Sequence, residues 1–351
     1  MKIIETIKEF AGLKAGCCLT IGNFDGVHVG HQKILAAARE ACRQRGKGKS
    51  PLVVAAFEPH PVSILHPEKT PERLTPLILK EQLLAGLGAD FLFLLKPDKK
   101  LLSLSAEEFV RKIIVEHIKP SVVVEGEDFR FGAGRTGNVH TLTSLGADNG
   151  FEVITVDSAA VKLSAGSPEN PVRESRLNRD RLKSAASSNG VKVSSTLIRN
   201  LLIEGRAADA AVALGRPYRF VGKVVSGKGK GKLLGFPTAN LGEINQLIPA
   251  EAVYAATAAV GVSEEEVCKS GTSIPAAVSI GRTETFGKGN PLLIEANLLI
   301  EDVGSLYGKW MALDFAEKIR SQRKFPSEED LAGQIAKDRQ KAKQLLPHPK
   351  I

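Results

Sequence analysis

The strongest constraint on this chain is a change of pattern at Gly215-Arg-Pro217. Before it, apolar runs of strand length alternate with stretches whose apolar residues recur at helical spacing. After it, short β-like runs follow one another with turn residues between them. The first pattern calls for a doubly wound parallel sheet with helices on both faces. The second calls for a compact antiparallel barrel. The 351 residues therefore read as two domains, 1–216 and 217–351, in an α/β chain.

Within the first part, the expected strands are Cys17–Ile21, Leu52–Phe57, Phe91–Leu95, Ser121–Val124 and Glu152–Val156. Ile34, Leu35, Ala38, Ala41 and Cys42 recur at helical spacing after the first strand, and Lys80 to Leu87 reads as a further helix. Ser105 with Glu108 forms a capping box for a helix through Ile114. Ligands of such sheets bind at the carboxyl ends of the strands. Three polar stretches follow strands here, beginning at Gly22, Glu58 and Gly126, so one cleft can collect them.

The stretch Thr20-Ile-Gly-Asn-Phe-Asp-Gly-Val-His-Val-Gly-His31 has the form strand, glycine-rich turn, helix. Gly22 and Gly26 allow a sharp turn and a close backbone approach. The helix that follows offers free N–H groups and a positive dipole end to an anion. His28 and His31 lie three apart, so both rings can face that anion and donate to charge that builds up during phosphoryl transfer. The net charge of +9, from 48 basic and 39 acidic residues, suits anionic ligands, nucleotide or nucleic acid alike. Few aromatics argue against a stacking platform for single strands. Cys17, Cys18, Cys42 and Cys268 show no metal-site or disulfide spacing and read as small buried hydrophobes in a reducing cytoplasm. The N-terminus lacks a signal-peptide core, and no apolar run reaches membrane-spanning length.

The run GNFDGVHVGH resembles the His-x-Gly-His motif of nucleotidyltransferases in the version found in bacterial bifunctional riboflavin kinase/FAD synthetases. Gly126-Glu-Asp-Phe-Arg-Phe-Gly132 resembles the flavin-side motif of that family, and Phe57-Glu-Pro-His-Pro61 resembles its FDPHP element with Glu58 for the usual Asp. Val193-Ser-Ser-Thr-Leu-Ile-Arg199 resembles its SSTxIR motif. The resemblance implies ATP and phosphate contacts at Gly22, Asn23, Phe24, Asp25, Gly26, Ser194, Ser195 and Thr196. It implies catalytic roles for His28, His31 and Arg199, and flavin contacts at Phe57, Asp128, Phe129, Arg130 and Phe131. Taken alone, the same hydroxyls can simply cap a helix, and the same phenylalanines can be core residues.

Residues 161–192 are rich in Ser, Asn and Arg and read as a mobile basic insertion, with a flap over nucleotide phosphates or a nucleic-acid contact as the functional alternative. Beyond Tyr218 the expected strands are Phe220–Val225, Val253–Val260, Ala276–Ile280, Leu292–Leu299 and Trp310–Phe315, followed by a helix capped by Ser327 with Leu331 and Ile335 on its apolar face. Gly222 to Gly229 nearly fits a Walker phosphate loop but lacks the final hydroxyl and the following helix. The stretch Ser226 to Leu241 instead resembles the riboflavin kinase signature, a Gly-rich flap before Pro237-Thr-Ala-Asn240. That resemblance implies phosphate contacts at Gly227, Lys232 and Gly235, Mg²⁺ held by Thr238 and Asn240, and Glu295 as the carboxylate that takes the hydroxyl proton. Lys232, Asn297, Ile300, Glu284 and Ala252 depart from the residues usual in that family.

The whole-chain expectation is a cytoplasmic bifunctional enzyme. Riboflavin becomes FMN in 217–351, and FMN becomes FAD in 1–216, with ATP and Mg²⁺ in both. Its partners are these small molecules, with no membrane and no nucleic acid, and a homo-oligomer is compatible with the sequence. The rivals are an adenylylating enzyme whose kinase half is impaired, a nucleotidyltransferase with another acceptor, and a nucleic-acid-binding regulator.

Overall fold

A computed structural model of the chain describes residues 1–6, 9–10, 16–45, 50–164, 190–227, 235–271, 273–282, 292–301 and 304–346. Its internal contacts separate two units, Met1–Pro71 with Lys80–Ala160, and Glu72–Leu79 with Val161–Ile351. Most of the expected 161–192 insertion, together with Lys232 and Glu284, lies outside the described residues.

In the first unit, β1 (Lys2–Ile4), β2 (Cys18–Gly22), β3 (Leu52–Phe57), β4 (Phe91–Leu95), β5 (Val122–Gly126) and β6 (Glu152–Val156) form one sheet in the order β1-β4-β3-β2-β5-β6. Every pairing is parallel. The strands are nearly continuous apolar runs because both faces are covered. On one face, Leu19, Ile21, Val53, Ala55, Phe93, Leu95 and Val123 meet Phe109, Ile113, Ile114 and Ile118. On the other, the helix α1 (Val29–Gln44) buries Leu35, Ala38, Ala41 and Cys42, and the Cys42 and Cys18 thiols are hydrogen-bonded. Each of the larger of these side chains, Leu, Ile, Val and Phe, contributes roughly 1.5–3 kcal/mol when taken from water, before the entropy of ordering it. All four cysteines are buried free thiols, and burial pushes Cys17 and Cys268 up to about 12, so those two pack rather than react.

The capping box is present in both directions, Ser105 accepting from Glu108 N and Glu108 from Ser105 N. The helix it starts widens into π-type turns at Val110 and runs past Ile114 to Ile118, where Lys119 adopts φ 53° and stops it. The sequence pattern missed β1 and the helix Val139–Asn149, which Asn138 caps.

The order of strands decides where a ligand fits. From β2 the chain builds outward through β3 and β4, then crosses to the other side of β2 for β5 and β6. The crevice at the carboxyl ends of β2 and β5 is therefore the topological switch point. The β2–β5 ladder covers only Cys18↔Val122 and Leu19↔Val123. Past it, the buried Glu125 carboxyl takes over, accepting the Ile21 N–H at 2.6 Å.

The second unit holds a closed barrel of β7 (Tyr218–Val225), β8 (Ala239–Gly242), β9 (Ala252–Gly261), β10 (Ile274–Arg282), β11 (Leu292–Leu298) and β12 (Trp310–Ser321). Its order is β7-β8-β11-β10-β9-β12, antiparallel throughout. Register shifts at Val253/Tyr254 and Ala255/Ala256 bend β9 against β12 so that the sheet can close. Phe315 is buried with Phe220 and Tyr254 edge-on to it. The terminal helix Glu328–Leu345 is capped by Ser327 as expected. It covers the barrel chiefly through Ala342, with Leu346 beyond its end, while Leu331 and Ile335 are only half-buried. The helices Ser195–Ile203 and Ala207–Leu214 also belong to this unit. No described helix is long and apolar enough to cross a membrane.

Candidate active sites

In the first unit, the turn between β2 and α1 is bent in a way few residues tolerate. Phe24, Gly26 and Val27 have φ of 47°, 87° and 41°. For Phe24 and Val27 that conformation is strained, and the surroundings must hold it. Phe24 and Val27 are both buried to 1 %, which supplies the hold. The turn delivers His28 as the N-cap of α1, its Nδ1 accepting from His31 N at 3.4 Å. The two imidazoles stack at 3.7 Å between centroids, and Phe24 lies against His31 at 5.0 Å. A Cβ on Gly30 would come within 3.1 Å of the His28 ring, so a side chain there would press on the stacked pair.

The His31 imidazole is held well below its usual 6.5, first by lost hydration and then by the charges of His28 and Lys80. It therefore faces the site as a neutral ring. Its Nδ1 is buried and has no hydrogen-bond partner among the described residues. Asn23 Oδ1 is in the same position, and the Asn23 amide lies 3.1 Å from His60 Nε2. His31 Nδ1, as the N–H tautomer, is an orphaned donor at the mouth of a helix N-terminus, where an anionic ligand would satisfy it, whereas Asn23 Oδ1 is an acceptor and calls for a ligand N–H or hydroxyl.

Phe57 ends β3 and is half-buried against the core. Glu58, beside it, pairs with the buried Lys80 ammonium at 3.2 Å. In the Gly126–Gly132 stretch, Asp128 and Arg130 are exposed and Phe129 is half-buried. Phe131 is buried and packs on Phe109 in the core. Phe129 stacks on Phe131 at 5.4 Å, so the core presents one aromatic edge outward.

Four groups here escaped the sequence reading as site residues: His60, Lys80, Glu125 and Thr20. Lys80 had a signal, a lone cation inside the apolar helix Leu77–Gly86. Glu125 had one too, a carboxylate closing the apolar run of β5. Burial raises its pKa well above 4.5 despite the hydrogen bonds from Ile21 and Thr20.

In the second unit, Ser194 caps its helix, accepting from Leu197 N at 3.1 Å. Ser195 and Thr196 occupy the first turn, and Arg199 donates through Nε to Glu72 O at 2.7 Å.

The barrel site is built by register. Asn240 on β8 stands opposite Glu295 on β11, and Ser279 on β10 flanks Glu295 from the other side. The Thr238 hydroxyl donates to the Glu295 carboxylate, whose pKa burial nonetheless raises. A cavity of about 400 Å³ opens beside them, lined among others by Gly227, Pro237, Thr238, Asn240, Leu306 and Tyr307. The Asn240 amide fills the space a Cβ on Gly227 would need. Gly235 has φ 81° at the far end of the flap. Asn297 is buried and bonded to Pro237 and Arg339, while Ile300 is exposed. A hydroxyl, an amide and a carboxylate are grouped here, residue types whose oxygens suit Mg²⁺. Among the described residues no cluster of three or more His, Cys, Asp and Glu could hold a metal ion.

Comparison with known proteins matches each unit to its own family model. Residues 11–167 match FAD synthetase and residues 214–346 match riboflavin kinase. The bifunctional riboflavin kinase/FMN adenylyltransferase of Escherichia coli K12 is 33% identical over 348 residues, covering 99% of this chain and 98% of that one. The protein of the same description from Pseudomonas fluorescens is 32% identical over 339 residues, 96% of each chain. A crystal structure described as a macrolide-efflux protein from Streptococcus pneumoniae superposes with a TM-score of 0.77 at 26% identity, covering 97% of this chain and 98% of that one. With both modules matched in order and relatives aligned end to end, the chain belongs to the bifunctional riboflavin kinase/FMN adenylyltransferase family.

Proposed function

We propose that residues 217–351 phosphorylate riboflavin to FMN and that residues 1–216 adenylylate FMN to FAD, each from ATP, in the cytoplasm. Both activities belong to the family models that match the two parts of the chain. One observation carries the reading into residues: the barrel ladder sets Glu295 against Thr238 and Asn240, while a separate turn at a sheet switch point stacks His28 on His31.

In the kinase module, Glu295 accepts the proton of the riboflavin 5′-hydroxyl as that oxygen attacks the γ-phosphorus of ATP and ADP leaves. A carboxylate of raised pKa is the stronger base, and the acid limb of the rate profile accordingly lies above the ordinary 4.5. Thr238 and Asn240 would hold Mg²⁺, which supplies neutralisation of phosphate charge. Gly227, Lys232 and Gly235 contact the phosphates.

In the adenylylating module, an FMN phosphate oxygen attacks the α-phosphorus in line and pyrophosphate leaves. His28 and His31 donate to the charge that develops there, and the free N–H groups of α1 add to it. Gly22 to Gly26 wrap the nucleotide, Ser194, Ser195, Thr196 and Arg199 hold its triphosphate, and Phe57, Asp128, Phe129, Arg130 and Phe131 form the flavin side.

The test is a product assay with purified protein, Mg-ATP, and either riboflavin or FMN. FMN and FAD from riboflavin, with FAD from added FMN, are expected. FAD from FMN alone would mean an impaired kinase, and no product from either would refute the flavin assignment.

A further inference from the structure

Asn297 follows Glu295 by two positions on β11, so the two side chains leave the same face of the strand. It is 5 % exposed, and both ends of its amide are engaged. Nδ2 donates to the Pro237 carbonyl at 2.7 Å, and Oδ1 accepts from Arg339 Nη1 at 2.6 Å. Pro237 directly precedes Thr238. A proline has no N–H, so its carbonyl is the one backbone group through which that residue can be hydrogen-bonded in place.

Arg339 comes from the terminal helix and also lies over the Phe236 ring at 5.4 Å. It is well anchored. Its neighbour Asp338 is buried and accepts from Arg320 on β12 at 2.7 Å and from Gln334 at 2.8 Å. An amide alone can present either end to Pro237. With a guanidinium fixed against Oδ1, only Nδ2 can face the carbonyl, and the charge-assisted bond on one side strengthens the donor on the other.

We propose that Asn297 and Arg339 are positioning residues of the kinase site, through which the terminal helix fixes the Phe236-Pro237-Thr238 turn and so sets Thr238 and Asn240 against Glu295. The proposal rests on the reading of Thr238 and Asn240 as the Mg²⁺ and phosphate side of that site. Neither Asn297 nor Arg339 touches the reacting atoms.

The experiment uses the full chain, because FMN-to-FAD conversion then serves as an internal control. Asn297→Asp keeps an acceptor for Arg339 and removes the donor to Pro237. Its kcat/KM for FMN formation is expected to fall about tenfold or more, as for loss of a buried hydrogen bond with a lone-pair clash in its place. Its Mg²⁺ half-saturation should rise, with FAD formation near that of the parent and only a modest fall in Tm. Arg339→Met should shift the same quantities less. Asn297→His offers one N–H and one acceptor nitrogen when neutral. It should keep the rate near that of the parent at pH 8, where the ring is neutral and can serve both partners.

Asn297→Asp with unchanged kcat, KM and Mg²⁺ half-saturation would overturn the proposal, as would a joint fall of Tm and both activities. Thr238→Val separates this from the underlying reading. If it abolishes FMN formation while Asn297→Asp does nothing, the positioning role alone is wrong. If Thr238→Val leaves FMN formation intact, the metal-side reading has failed, and the relay with it.

Discussion

The two modules make their sites by opposite means. In the first, the site is a single bent segment at the end of a strand. Phe24, Gly26 and Val27 hold positive φ, and His28 and His31 are stacked by the few residues between them. In the second, the site is a ladder. Asn240 and Glu295 come from distant stretches of sequence and meet because β8 pairs with β11 in one register. A turn stores its geometry in backbone strain and local burial. A ladder stores it in the whole barrel, since a slip of one residue would send every side chain to the other face. Damage should therefore stay confined to one module, and take a different form in each.

The largest expected effect tests that confinement. His28→Ala should reduce FAD formation by at least 100-fold and leave FMN formation intact, and Glu295→Gln should do the reverse. Chromatography of products from riboflavin and from FMN separates the two, and a variant that lost both would deny the modules their independence.

Next in size is Lys80→Met. Lys80 is buried and gives Glu58 its counter-charge, so the change should destabilise the first module by about 3 kcal/mol in denaturant unfolding. Removing that charge should also raise the His31 pKa, which NMR titration can follow.

Two glycines then sharpen the contrast. Gly26→Ala places a side chain at φ 87° and should cost about 1–2 kcal/mol, slowing FAD formation alone. Gly227→Ala meets only the movable end of Asn240. It should barely change Tm yet slow FMN formation about tenfold by displacing that amide. Equal loss of Tm in both variants would erase the distinction between strain and register.

The last prediction concerns Glu125, whose effect depends on pH. Its folded pKa lies well above the ordinary 4.5, so it stays protonated in the fold while the unfolded chain ionises. Its contribution to stability is full below pH 4.5 and is lost as pH rises toward the folded value, by at most about 1.4 kcal/mol per pH unit. Glu125→Gln should flatten that slope, so its stability relative to the parent should improve as pH rises above 4.5. Parallel stability curves would show that Glu125 is ionised in the folded chain.

What the sequence determined by itself was whatever is local. The strands Leu52–Phe57, Phe91–Leu95 and Glu152–Val156 match the structure residue for residue. The Ser105 and Ser327 caps, and the turn that carries His28 and His31, are local as well. In each case the residues that interact lie within a few positions, so composition and spacing fix the outcome. Only tertiary structure decided the rest. The pattern left the Pro237–Asn240 stretch without a strand, because Ala239–Gly242 becomes one only when β7 and β11 flank it. It called Asn297 a departure from the family, with no partner in view. The fold gives it two, Pro237 and Arg339. It could not place Lys80 beside Glu58, or Glu125 across the mouth of β2 and β5. These contacts depend on strand order and register, which are settled by the burial of whole faces, and no short window of sequence contains a whole face.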